Sequence, residues 1–335
     1  MRNPYFDLVK AIAISMVIWG HVRGFAAIDM FPTWTDNFRV GMNMPIFFML
    51  SGYFAWPTIE ACDWRKAGRT VRGWFQPALF AGIAYTLIGM ISSPPPPPFH
   101  SIIGSLIRSV FIDPWFITTL AECYLLLFVS FVVGKRTGRS LLIVVACLAV
   151  AMCLPLFMLG RIHWGCLTSM MPHFCFGAIV LRKYGHRLWE NRMVGIICFV
   201  AFMSFVLLEG NVENNGMSFY TADSSISAFQ SVRGSVCFVV RPVVGLMGAV
   251  GVMTLIKIAL DTVPSLVGLA KIGTLTLGIY IFHLWPLRQL RSIAWIGSSW
   301  WSVTLTSIAM LSFFSIVTWL LMEKTGRFRK WIWGR

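Results

Sequence analysis

The sequence predicts an all-α membrane protein: a polytopic bundle of about ten transmembrane helices with both termini in the cytoplasm. Three observations carry this. Hydrophobic residues make up 57% of the chain and charged residues only 12%, about half the charge of an ordinary soluble domain. Apolar runs long enough to span a bilayer recur from one end to the other, and basic residues gather in alternate connecting segments. This composition excludes a soluble globular enzyme, a disordered chain, a secreted disulfide scaffold and a zinc-finger protein. Ten spans of about 20 residues use about 200 positions, so residues 1–335 read as one integral-membrane domain without an appended soluble one.

The expected spans fall at 7–27, 38–56, 74–92, 114–133, 140–159, 164–181, 193–209, 234–256, 265–286 and 299–321. With the N-terminus inside, the cytoplasmic segments hold Arg65, Lys66, Arg69 and Arg72, then Lys135, Arg136 and Arg139, then Arg182, Lys183, Arg187 and Arg192, and finally Lys324 to Arg335. The outer segments hold fewer. The net charge of +15 is therefore accounted for by positive-inside topology and calls for no nucleic acid. The opening resembles a signal peptide, but Asp7 and Lys10 interrupt its apolar run, so it is read as a retained first helix.

Between spans three and four, the run Pro94–Pro98 must leave the helix and extends as polyproline II. The apolar segment 99–112 is too short to cross and is read as re-entrant or interfacial. The longest outer loop, near 210–232, carries Glu213 and Asp223; it faces a polar acceptor or is simply solvated. Of the eight cysteines only Cys62 lies outside the spans, and no C-x-x-C occurs, which points to apolar packing and to neither disulfides nor metal.

Ionisable groups within a bilayer are costly and are the first candidates for a site. The first span offers Asp7, Lys10 and His21. Lys10 and His21 are eleven residues apart, which at 100° per residue puts them within about 20° of one helix face and about 16 Å apart. Asp7, one turn before Lys10, is placed to pair with it. The competing reading is that Lys10 snorkels to one set of headgroups and His21 to the other. In the second span Pro45 frees a carbonyl, and Ser51 and Gly52 permit close backbone approach; ordinary small-residue packing explains the same pattern. Arg65, Lys66, Arg69 and Arg72 suit an anionic, phosphate-bearing ligand, or they serve topology and lipid contact.

Lys10-x10-His21, Pro45-x5-Ser51-Gly52-Tyr53, Arg69-x2-Arg72, Trp115-Phe116-Ile117 with Glu122-Cys123-Tyr124, and Gly278-Ile279-Tyr280-Ile281-Phe282-His283 together resemble the membrane acyltransferase 3 family, from about residue 4 to 322. Lys10 stands where that family carries Arg, which keeps the charge but not the bidentate fork. The Glu122 region also departs from the fuller Glu-x-x-Phe-Tyr form of longer members. The resemblance implies transfer of an acyl group, most often acetyl, from cytoplasmic acyl-CoA to a cell-surface or lipid-linked carbohydrate at the bacterial inner membrane. Acetyl-CoA is then a co-substrate, and no cofactor or metal is permanently bound.

A sugar hydroxyl needs a base near neutral pH, and His21 is the choice, as general base or acyl-accepting nucleophile, with Asp7 and Lys10 tuning the entrance. Arg69 and Arg72, helped by Arg65 and Lys66, are expected to hold the CoA phosphates. Ser51 makes room for the pantetheine arm, and Asn43 is a candidate donor to the thioester oxygen. Glu122, Arg241, His283 and Tyr53 are candidates for the acceptor side or for support. His100, His163 and His186 are read as loop residues, and His173 as a packing residue. The alternatives are a transporter or flippase, which should show paired broken helices in its two halves, and a scaffold that only binds a partner.

Overall fold

The computed structural model describes residues 3–26, 32–92, 99–138, 164–210, 232–289 and 299–324, and these are helical with no strand among them. α1 (Pro4–Ala26) is apolar on all sides. Leu8, Val9, Ala13, Ile14, Val17 and Ile18 are all buried, so it runs through the protein interior. α2 (Thr33–Glu60) returns antiparallel beside it. Arg23 of α1 pairs with Asp36 of α2 at 2.5 Å, while the Lys10 ammonium stands 5.9 Å from the centre of the Phe54 ring towards the other end.

The chain reverses sharply after α2, with Cys62 in the left-handed region at φ 53°. Asp63 then caps α3 (Trp64–Ser92): its Oδ1 accepts the backbone N–H of Lys66 at 2.9 Å. α4 (Phe99–Ile107) runs into a π-helical turn at Arg108–Ile112. α5 (Trp115–Thr137) stops at Gly138, whose φ of 70° supplies the left-handed cap. α6 (Trp164–Cys175) passes through a second π-turn, Phe176–Leu181, into α7 (Arg182–Glu190). α8 (Arg192–Gly210) and α9 (Val232–Thr262) pair closely. A 3₁₀ stretch, Pro264–Leu269, leads into α10 (Ala270–Thr274), α11 (Thr276–Phe282) and α12 (Leu284–Gln289). α13 (Trp300–Lys324) follows.

Glycines set the closest crossings. A Cβ at Gly52 of α2 would overlap the Phe174 carbonyl, and one at Gly177 in the second π-turn would overlap the Met49 carbonyl. The two backbones therefore touch as small-residue membrane interfaces do. Apolar side chains form two cores. One lies among α1, α2, α3, α5, α6, α11 and α13; the other joins α1 and α2 to α8 and α9. α13 leaves Trp301, Ile308, Ile316 and Leu320 exposed, which is the surface a hydrocarbon environment accepts.

Among the described residues, five helices are long and apolar enough to cross a membrane, namely α1, α3, α5, α13 and the 240–262 part of α9. A sixth is the pair Pro264–Thr274 and Thr276–Phe282, bent by 52°. α2 is long enough, but Asp36, Arg39, Asn43, Ser51 and Thr58 lower its apolarity; it packs chiefly against protein. The expected span at 140–159, the proline run and most of the 210–232 loop lie outside the described residues. Segment 99–112 is α4 with its π-turn, packed on α3 through Phe75 and Phe111, whose rings are 5.7 Å apart. His100 and His186, read as loop residues, instead fall within α4 and α7. Both helices are only nine residues long, too short to leave a span-length apolar signal. The described cysteines Cys62, Cys123, Cys175 and Cys198 are free thiols.

Candidate active site

Asp7 and Lys10, one helical turn apart on α1, form an ion pair at 2.6 Å, with Asp7 almost fully buried. The pair is held from the side by Gly273 of α10, where a Cβ would overlap the Asp7 carbonyl. Lys10 borders a cavity of about 500 Å³ enclosed by α1, α2, α3, α5 and the 273–280 segment. Lys66, Thr70 and Trp74 of α3 line it, at the i, i+4, i+8 spacing that puts one helix face towards one place. Ser51, Phe47 and Phe54 line it from α2, and Phe116, Leu120 and Tyr124 from α5. Two cations thus lie towards one end of a space whose middle is aromatic.

At the far end stands Tyr280 of α11. Its hydroxyl accepts the backbone N–H of Phe116 at 3.2 Å, one of the N–H groups that the first turn of α5 leaves without a helical partner. Its carbonyl accepts from His283 Nδ1 at 2.5 Å. Because a carbonyl only accepts, Nδ1 carries the proton and Nε2 of a neutral His283 is left as a base. That Nε2 is buried and makes no hydrogen bond. The ring of His21 lies with its centre 5.0 Å from that of His283. The two histidines do not line the cavity; they stand directly behind Tyr280, whose ring centre is 5.4 Å from that of His283.

Lys10, Ser51 and Lys66 therefore line one cavity, with Asp7 paired to Lys10, and the rings of His21 and His283 pack together next to Tyr280. The other residues read from the sequence lie elsewhere. Arg65, Arg69 and Arg72 are exposed on the remaining faces of α3, and Arg72 Nε donates to Gln76 at 3.2 Å. Asn43 is fully buried off the cavity wall; its Oδ1 accepts the Met44 N–H at 2.7 Å, and its Nδ2 has no partner. Tyr53 lies under the Arg182 guanidinium at 5.1 Å and against the Phe6 ring at 5.0 Å, joining α2 to α7 and α1. Glu122 is partly buried on the side of α5 opposite Phe116, Leu120 and Tyr124. Arg241 is partly buried in α9, away from the cavity wall, with Nε and one terminal nitrogen lacking hydrogen bonds.

A family model described as an acyltransferase domain, that of the acyltransferase 3 family, matches residues 3–323. The chain belongs to the acyltransferase 3 family. No curated protein and no solved structure matches it. The match, over residues 3–323, takes in every residue that lines the cavity of this membrane acyltransferase. Among the described residues no group of three or more His, Cys, Asp or Glu side chains converges as metal ligands would.

Several residues of the acyltransferase cavity carried no assigned role in the sequence reading. Tyr280 sits inside a quoted motif, three residues before His283, but a lone tyrosine in an apolar span reads as packing. Gly273 has no sequence signal, because its partner Asp7 is at the other end of the chain. Thr70 was legible only as the residue one turn beyond Lys66.

Proposed function

We propose that this acyltransferase moves an acyl group, acetyl in the first instance, from cytoplasmic acyl-CoA to a hydroxyl of a cell-surface or lipid-linked carbohydrate at the bacterial inner membrane. The observation that supports this best is a single cavity leading from Lys10 and Lys66 to Tyr280, with the His21–His283 pair directly behind it. Acyl-CoA is polyanionic at one end and thioester-bearing at the other. Two ammonium groups suit its phosphates, and an aromatic passage beside Ser51 suits the slender pantetheine arm.

The chemistry asks for a base. His21, beside His283, takes the proton of the acceptor hydroxyl as that oxygen attacks the thioester carbonyl. The C–O bond forms, the C–S bond breaks, and the proton returns to the departing CoA thiolate. The donor is a co-substrate, and the reading calls for no resident cofactor. Membrane lipids surround the exposed apolar faces.

Purified protein in detergent, given acetyl-CoA and bacterial surface glycans, is expected to release CoA thiol and acetylate sugar together. No turnover by folded protein would overturn the reading. Within the donor cavity Lys66 matters more than its arginine neighbours. Lys66→Ala is expected to raise KM for acetyl-CoA about tenfold, the loss of one charge-assisted hydrogen bond of about 1.5 kcal/mol. Arg72→Ala, whose guanidinium already meets Gln76, is expected to change it less than Lys66→Ala does. The reverse order would return the phosphate site to the arginines.

A further inference from the structure

A second cavity, of about 300 Å³, lies between α3, α4 with its π-turn, and the 280–284 segment. It shares one wall residue with the first, Tyr280. We propose that this smaller cavity seats the acceptor as an uncharged sugar unit, and that Tyr280 is the partition at whose edge the acceptor hydroxyl attacks the thioester, the C–O bond forming as the C–S bond breaks. The proposal rests on the acyl-transfer reading above and deepens it.

The two cavities differ in chemistry. The larger one has Lys10 and Lys66 on its walls. The smaller one has no Lys or Arg among its described lining residues; it offers the hydroxyls of Thr86, Ser105 and Ser109, and the Asp113 carboxylate, whose Oδ1 is paired with Arg108 Nε at 3.4 Å. Hydroxyls donate hydrogen bonds to a polyol and accept them from it, and these groups bring no ammonium to the wall for a coenzyme's phosphates. Tyr85 stands in the wall with its hydroxyl anchored on the Phe282 carbonyl at 3.0 Å, and it joins Tyr280 as a second ring in contact with the space. Such a volume is at the small end of the range for ligand pockets, about 300–1,000 Å³. It takes one sugar unit and excludes a coenzyme.

Tyr280 is held on both of its polar groups. Its hydroxyl is fixed by the Phe116 N–H and its carbonyl by the His283 ring. The residue that divides the cavities therefore also orients the histidine behind it. A thioester arriving from one side and a hydroxyl from the other meet at this ring, and the partition keeps water entering by the acceptor side away from the thioester.

The test uses membrane vesicles from the native host containing the full chain, supplied with radiolabelled acetyl-CoA. Label is read separately in glycan and in free acetate. Ser109→Phe fills the smaller cavity and is expected to cut glycan labelling about tenfold, with KM for acetyl-CoA unchanged. Ser105→Phe, at an exposed position of α4, is expected to act in the same direction if Ser109→Phe fails to fold. Tyr280→Ala removes the partition and is expected to lower the glycan-to-acetate ratio about tenfold by admitting water. Wild-type glycan labelling in both serine variants, a raised KM for acetyl-CoA in either, or an unchanged ratio in Tyr280→Ala overturns the proposal. Wild-type vesicles that label neither fraction remove the transfer reading and the proposal with it, an outcome visible before any variant is compared.

Discussion

His21→Ala is expected to lower acyl transfer by about 10²- to 10⁴-fold, the usual contribution of a positioned general base, while the protein still inserts and purifies as a folded species. Histidine has an unperturbed acidity suited to proton transfer near neutral pH. Here His283 is committed through Nδ1 to the Tyr280 carbonyl and His21 stands beside it. KM for acetyl-CoA is expected to stay near the wild-type value, because Lys10 and Lys66, which line the proposed donor cavity, are untouched. Transfer at the wild-type rate in a folded His21→Ala protein would take the base away from this position. A raised KM with unchanged kcat would make His21 a binding residue.

Gly273→Ala should be as damaging for a different reason. The added methyl has no room against the Asp7 carbonyl, and backbone yields less readily than a flexible side chain. α10 must move away from α1, which disturbs the Asp7–Lys10 pair and the cavity wall together. Overpacking of this kind costs about 1–3 kcal/mol. The purified variant is therefore expected to show a lower Tm and a higher KM for acetyl-CoA. Gly268→Ala, with nothing within 4 Å of its added Cβ, serves as the control and should match wild type in both. Wild-type Tm and KM in Gly273→Ala would mean that the close approach does not shape the site.

Much of the site was legible where the signal is local. The Asp7–Lys10 pair follows from one helical turn, and the structure contains it. The late motif ending in His283 and the first-span His21 were each visible, though nothing in one sequence says that their rings meet. At the start of α3 residue type and helical phase point to different residues. A guanidinium fork is the better phosphate ligand, which favoured Arg69 and Arg72, but helical phase decides access, and the 66–70–74 face is the one on the cavity. The segment 265–286 reads as one apolar span; it is built as a 3₁₀ stretch, the short helices α10 and α11 and the start of α12, with a 52° bend between Pro264–Thr274 and Thr276–Phe282. That break sits at Leu275, with φ −102° and ψ 0°, directly after α10, whose Gly273 lies against the Asp7 carbonyl of α1; no local residue pattern announces it.

The most direct measurement is photo-crosslinking with an acyl-CoA analogue carrying a diazirine on its acyl chain, followed by peptide mapping. Label on the peptides containing Phe54, Phe116 and Tyr280, removed by competing acetyl-CoA, is the expected result. Label that acetyl-CoA competes away from the smaller cavity alone, around Ser105 and Ser109, would contradict the assignment of the donor to the cavity that Lys10 and Lys66 line.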